Sequence, residues 1–188
     1  MDIIMIRHGE TEDNVSKVFS RDDTKLSEIG KEQIKRTREL LKDFKFDKVY
    51  YSPLERTKET LGILGLEGIP NTRIREINFG IFAGLNYNEI LEKYPQETKS
   101  WENDPLRYII PEGESLNVVY NRVWMFLEEI IKHNENIIIV AHEGVIRLAL
   151  CWIFNDPNFF YRFKIDHGSI NVISVEDGFK YIKKLNYI

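Results

Sequence analysis

The chain has one cysteine, six prolines and no long apolar run among its 188 residues, and each scarcity removes a class of protein. A lone thiol, Cys151, cannot close an internal disulfide, so a reducing, cytoplasmic setting is the expectation. A bilayer-spanning helix needs about 20 consecutive apolar residues, and no stretch approaches that length. The amino terminus carries no basic region followed by an apolar stretch and a small-residue cleavage site, so no secretion signal is expected. Basic excess is absent too. Lys and Arg number 26 against 30 Asp and Glu, for a net charge of -4. A nucleic-acid partner is therefore not expected, because there is no surplus of cations to release counterions from a phosphate backbone. The basic residues of Lys31 to Lys42 alternate with Glu32 and Glu39 and read as a solvated helix face. No Gly-rich loop ends in Lys and Ser or Thr, as a Walker-type nucleotide site requires. His142-Glu143 lacks the second His of a zinc protease, and neither a metal nor a cofactor is expected.

What is present reads as one α/β domain over residues 1–188, since a domain takes about 150 residues and a chain of this length can bury a core without staples. Apolar runs predict strands at Ile3–Ile6 and Lys48–Tyr51, and another at Ile137–Ala141. Ser27 reads as the cap of a helix carrying Ile34, Leu40 and Leu41, and Ser52 as the cap of a helix over Leu54–Leu64 with Pro53 in its first turn. A long helix is expected from Ser115, and an apolar one over Val145–Phe154. Ser169–Val175 and Phe179–Leu185 read as a hairpin around Asp177-Gly178. Residues 75–111 are rich in aromatics without clean period, which predicts a satellite cluster and a substrate lid. The expected architecture is three-layer α/β/α, with a mixed, mostly parallel sheet and an antiparallel edge.

Two histidines stand at matching places. Arg7-His8-Gly9 follows the run Ile3–Ile6, and His142 follows Ile137–Ala141. If these strands lie side by side and parallel, both imidazoles reach the carboxyl edge of the sheet, where open α/β folds bind ligands. Arg56, one turn into the helix after Ser52, would join Arg7 and the two rings in a cup suited to a phosphate. The bland alternative for Arg56 is a surface ion pair with Glu55 or Glu59. For Glu76 it is a cap or ion pair.

Taken together, Ile4–Asn14, Leu26–Gln33, Ser52–Thr60, Glu76–Gly84, Glu112–Ser115, His142–Arg147 and, more weakly, His167–Ile173 resemble the histidine phosphatase superfamily, the phosphoglycerate mutase-like enzymes. The resemblance implies that His8 becomes phosphohistidine, that Glu76 protonates the leaving group, and that Arg7, Arg56 and His142 hold the transferring phosphoryl group. It also implies substrate binding by Asn14, Arg21 and Gly144. The chain departs from the usual wording at Ser20, Ala83, Ala141 and Glu143, of which Ala83 and Glu143 would alter polarity at the pocket mouth. The resemblance points to a metal-independent phosphomonoester hydrolase acting on a small phosphorylated metabolite. Trp101–Ser115 and Asp166–Ser169 are similar to α-ribazole-5'-phosphate phosphatases within the compact bacterial branch. The alternatives are a cofactor-dependent phosphoglycerate mutase and a non-catalytic phospholigand-binding module. The oligomeric state stays open between monomer and homodimer.

Overall fold

Continuous β-branched runs make strands buried on both faces, and two of them form the centre of this fold. The computed structural model describes residues 1–188. In chain order the elements are β1 (Asp2–Arg7), α1 (Glu12–Val15), α2 (Glu28–Leu41), β2 (Lys48–Tyr51), α3 (Glu55–Leu64), β3 (Ile69–Pro70), α4 (Tyr87–Lys93) and α5 (Pro95–Asn103). They continue with α6 (Leu116–Ile130), β4 (Ile137–Ala141), α7 (Glu143–Phe154), β5 (Ile170–Glu176) and β6 (Phe179–Tyr187). The strands form one sheet in the order β3-β2-β4-β1-β5-β6. The first four of that order run parallel, and β5 and β6 are antiparallel to their neighbours. The expected mixed sheet with an antiparallel edge is the one observed.

Alternation along the central strands builds two cores. Ile3 and Met5 share a face with Ile137 and Ile139, covered by Val119, Val123 and Phe126 of α6 and by Leu148 and Trp152 of α7. Ile4 and Ile6 point the other way with Ile138 and Val140, under Ile34 and Leu41 of α2 and Leu61 and Leu64 of α3. Burying each of these isoleucines contributes about 2–3 kcal/mol of transfer free energy. At one edge β3 is two residues long and ends in Pro70; at the other, β6 carries Lys183 and Lys184, so both edges resist pairing with another chain. The β5–β6 turn places Asp177 at φ 47° and Gly178 at φ 81°. Those are the left-handed conformations that an Asp-Gly hairpin supplies.

The starts of α2 and α6 follow the expected caps. Ser27 accepts from Gly30 N at 3.0 Å and Ser115 from Val118 N at 3.3 Å. At α3 the expectation of a Ser52 cap is corrected: Leu54 occupies the cap position with no side-chain bond. The Ser52 hydroxyl is taken by His142, and Thr57 Oγ1 instead donates to the Ser52 and Leu54 carbonyls, each at 2.6 Å. Between β3 and α6 the aromatics do form a separate cluster. Phe82, Ile90 and Ile110 are its buried centre, and Phe19, Phe79, Tyr94 and Trp101 pack around them.

The loop after β1 is held by backbone contact with α2. A Cβ on Gly30 would lie 2.0 Å from the Glu10 carbonyl oxygen, and one on Gly9 would lie 2.3 Å from the Gly30 carbonyl oxygen. Only paired glycines permit this approach. Gly30→Ala is expected to lower stability by about 1–3 kcal/mol through overpacking. Gly62→Ala, in the open interior of α3 with nothing near its Cβ position, should raise it by about 0.5–1 kcal/mol. Urea unfolding of the two variants checks both signs.

Candidate active site

Arg7 pairs with Ala141 across the parallel β1–β4 ladder, so the next residue of each strand, His8 and His142, leaves the sheet at the same level. His8 N donates to Ala141 O at 3.0 Å, and the two imidazole centroids lie 5.2 Å apart. On the other side of β4, Ser52 leaves β2 and its N donates to Val140 O at 3.0 Å. The parallel strands thus deliver His8, His142 and Ser52 to one edge, as the sequence pattern predicts for the two histidines.

The protonation of His8 follows from its partner. Nδ1 lies 2.7 Å from Gly9 O, and a carbonyl only accepts, so Nδ1 carries the hydrogen and Nε2 keeps a free lone pair. Burial, then the charges of Arg56 and Arg7, hold the ring well below the usual imidazole range, so it is neutral. His142 Nε2 meets Ser52 Oγ at 2.7 Å, while its Nδ1 is buried without a partner. Burial, Arg56 and His8 keep this ring neutral as well.

Two guanidinium groups face these rings. Arg56 is 2% exposed, and its Nη1 donates to Arg21 O at 2.8 Å. The surface ion pair considered for it is absent. Glu55 pairs with Lys58 at 3.4 Å, and Glu59 accepts from Leu26 N at 2.7 Å. Arg7 donates to Ile165 O, and its Nη2 lies 2.7 Å from His167 Nε2 and 3.0 Å from Glu143. The Nε of each arginine is buried with nothing to bond. A buried cation with spare donors is costly unless an anion completes it, so the pair is organised to receive one.

Glu76 is set by three supports. Arg122 of α6 donates to the carbonyls of Arg73 and Arg75, each at 2.7 Å, and of Glu76 at 3.2 Å, clamping the backbone. Ile77 N donates to one carboxylate oxygen at 3.0 Å and Gly144 N, at the start of α7, to the other at 3.3 Å. Burial outweighs the opposing charge of Arg56 and raises the Glu76 pKa. A Cβ on Gly144 would lie 2.4 Å from the Glu76 carboxylate. Gly144 therefore acts on Glu76 through close approach.

Arg7, His8, Asn14, Arg56 and Glu76 line one cup of about 150 Å³ with Phe19, Phe79 and Glu143. The Asn14 carbonyl oxygen closes a capping box with Thr11, accepting from its N at 3.1 Å and its hydroxyl at 2.8 Å, which leaves the amide N–H donors for a ligand. Arg21 is the exception among the expected site residues. Its exposed guanidinium occupies the space beside Gly84, where a Cβ would lie 2.0 Å from Nη2, and only its carbonyl serves the site, through Arg56. Sequence reasoning missed His167 as a site residue. Its Nε2 accepts from Arg7 Nη2 at 2.7 Å and lies 3.0 Å from Asn14 Oδ1, and burial and Arg7 push its pKa down to about 4. The signal was His167 just before β5, the other neighbour of β1. Ser52 and Glu143 were also not assigned to the site. A second, largely aromatic cavity of about 260 Å³ adjoins the cup and shares Phe19, Glu76, Phe79 and Glu143 with it. No three His, Cys, Asp or Glu residues are grouped to hold a metal ion, and no helix is long and apolar enough to cross a membrane.

The family model described as histidine phosphatase superfamily (branch 1) matches residues 3–188. Phosphoserine phosphatase 1 of Hydrogenobacter thermophilus is 37% identical over 192 residues, covering 98% of this chain and 91% of that protein. Adenosylcobalamin/alpha-ribazole phosphatase of Escherichia coli is 29% identical over 194 residues, covering 99% and 96%. The crystal structure of the alpha-ribazole phosphatase from Shigella flexneri superposes with a TM-score of 0.92 at 29% identity, covering 99% of this chain and 96% of that one.

The three neutral rings set a pH dependence. In the unfolded chain they take up protons as pH falls through about 6.5. In the folded chain they do so only much lower. Stability is therefore full above about pH 6.5 and is lost as pH falls toward the folded values. Glu76, with its raised pKa, works the opposite way but is one group against three. Urea unfolding at pH 7.5 and 5.0 should differ by on the order of 3–5 kcal/mol, with a shallower difference in His142→Asn. A flat profile would mean that the rings titrate in the fold as they do in the unfolded chain.

Proposed function

The chain belongs to the histidine phosphatase superfamily (branch 1), and we propose that it is a metal-independent phosphoric monoester hydrolase of small metabolites that works through a phosphohistidine on His8. The observation that carries this reading is the neutral ring with its free Nε2 beside two buried guanidiniums whose Nε–H groups have no partner. Nε2 attacks phosphorus as the ester P–O bond breaks, and Glu76 gives its proton to the departing alkoxide oxygen. Arg7, Arg56, Asn14 and the Nδ1–H of His142 hold the phosphoryl oxygens, and each such donor is worth about 3–4 kcal/mol of activation free energy. Water then attacks phosphorus, giving a proton to the Glu76 carboxylate, and the P–N bond breaks to release phosphate. The raised pKa of Glu76 favours the protonated form that the first step needs.

For the alcohol half, the aromatic cavity beside the cup supports a nucleoside-like ester such as α-ribazole 5'-phosphate, the substrate class in the name of the E. coli relative. Phosphoserine is the second reading, favoured by the 37% identity to the H. thermophilus enzyme. A phosphoglycerate mutase would have to keep water from the phosphoenzyme.

Wild type should hydrolyse p-nitrophenyl phosphate without added metal, and His8→Ala should abolish turnover. Rapid alkaline quenching should trap an acid-labile phosphoenzyme. Its absence during steady turnover would remove the covalent route, and 2-phosphoglycerate appearing from 3-phosphoglycerate faster than free phosphate would establish the mutase instead. Glu76→Gln should slow an alkyl phosphate by about 10²–10⁴-fold, but p-nitrophenyl phosphate, whose leaving group needs no proton, far less. Equal losses on both would dismiss Glu76 as the acid.

A further inference from the structure

Glu143 is the first residue of α7, and with Glu76 it is one of two carboxylates shared by the phosphate cup and the aromatic cavity. One of its oxygens lies 3.0 Å from Arg7 Nη2, and the other pairs with Arg147 one helical turn on. Arg7 is also a guanidinium of the phosphate cup. A bound phosphate dianion therefore competes with Glu143 for Arg7, and the Glu143 carboxylate is left with Arg147 alone. Arg147 also lines the cavity and has a buried Nε without a partner, but its Nη2 is held by Glu143 and its guanidinium lies 5.3 Å over the Phe160 ring, so its charge is engaged by Glu143. Glu76 adds no negative charge while it holds its proton. An ester group passing from the cup into the aromatic cavity thus meets one partly buried carboxylate at the junction.

We propose that Glu143 is a specificity-determining residue that rejects phosphomonoesters with a carboxylate on the carbon next to the ester carbon. It admits alcohols that present a hydroxyl or N–H donor at that place and an apolar body beyond it. The physical basis is a built-in like charge, which costs most where water is partly excluded, together with an acceptor left free once phosphate occupies Arg7. The inference rests on the phosphatase reading and narrows its substrate class toward neutral, nucleoside-like alcohols and away from carboxylated ones.

Glycerol 3-phosphate and 3-phosphoglycerate differ only by a hydroxymethyl group in place of a carboxylate, so they isolate the effect. Both are measured as competitive inhibitors of p-nitrophenyl phosphate hydrolysis by the full chain. For wild type, glycerol 3-phosphate should show the lower inhibition constant of the two, by at least about tenfold, the size expected of one unfavourable charge contact. Glu143→Gln should bring the two within about threefold, chiefly by tighter 3-phosphoglycerate binding, while Glu143→Asp, which keeps the charge, should retain the preference. Equal inhibition of wild type, no inhibition by either compound, or a preference unchanged in Glu143→Gln would overturn the proposal. So would a preference lost equally in Gln and Asp, which would assign Glu143 a packing role. Wild type inert toward p-nitrophenyl phosphate would fail the phosphatase reading itself and the filter with it.

Discussion

The parallel pairing of β1 with β4 is the constraint on which the rest of the site depends. Its register sets Arg7 opposite Ala141, so two histidines 134 positions apart in the chain emerge at one level with their rings 5.2 Å apart. A slip of one residue would take His8 off the level of His142 and exchange the isoleucines between the two cores. The apolar alternation that stabilises the sheet and the geometry that could hold a phosphoryl group are therefore one arrangement, specified by the same residues.

Around that pair the electrostatics are arranged to favour an anion. Arg7 and Arg56 are buried with unbonded Nε groups, and His8, His142 and His167 are kept neutral by burial and by the same guanidiniums. Concentrated positive charge does two things at once. It attracts an anion, and it prevents the neighbouring imidazoles from taking up the proton that would consume the lone pair of His8. Glu76 lines the same cup, where burial favours its neutral form and Arg122 and Gly144 N fix its position. The aromatic cavity draws on both packing units: Phe19, Phe79 and Trp101 pack on the small cluster around Phe82, while Ile77, Leu116 and Phe160 belong to the core under the sheet.

Short-range chemistry made much of this legible in advance. Continuous isoleucine runs, Ser caps at 27 and 115, the Asp-Gly turn and the Arg-His-Gly tripeptide each act within a few residues, so their consequences can be read along the chain. The aromatic excursion was legible as a separate cluster, because aromatics without helical or strand period have no single face to bury. The Ser52 cap failed for an instructive reason: its hydroxyl had a competing partner, His142, that is 90 residues distant and meets it only because β2 lies beside β4.

The sequence by itself determined the layered α/β class, the two strand-end histidines and the kinds of groups available for phosphoryl chemistry, since periodicity and residue type are local properties. Only the tertiary structure decided that Arg21 lends a carbonyl rather than its charge, that Gly144 exists to admit Glu76, and that His167 and Glu143 both compete for Arg7. Those assignments turn on which of several possible donors and acceptors come within about 3 Å of each other. That selection is made by strand order and helix packing, across separations that no pattern along the chain encodes.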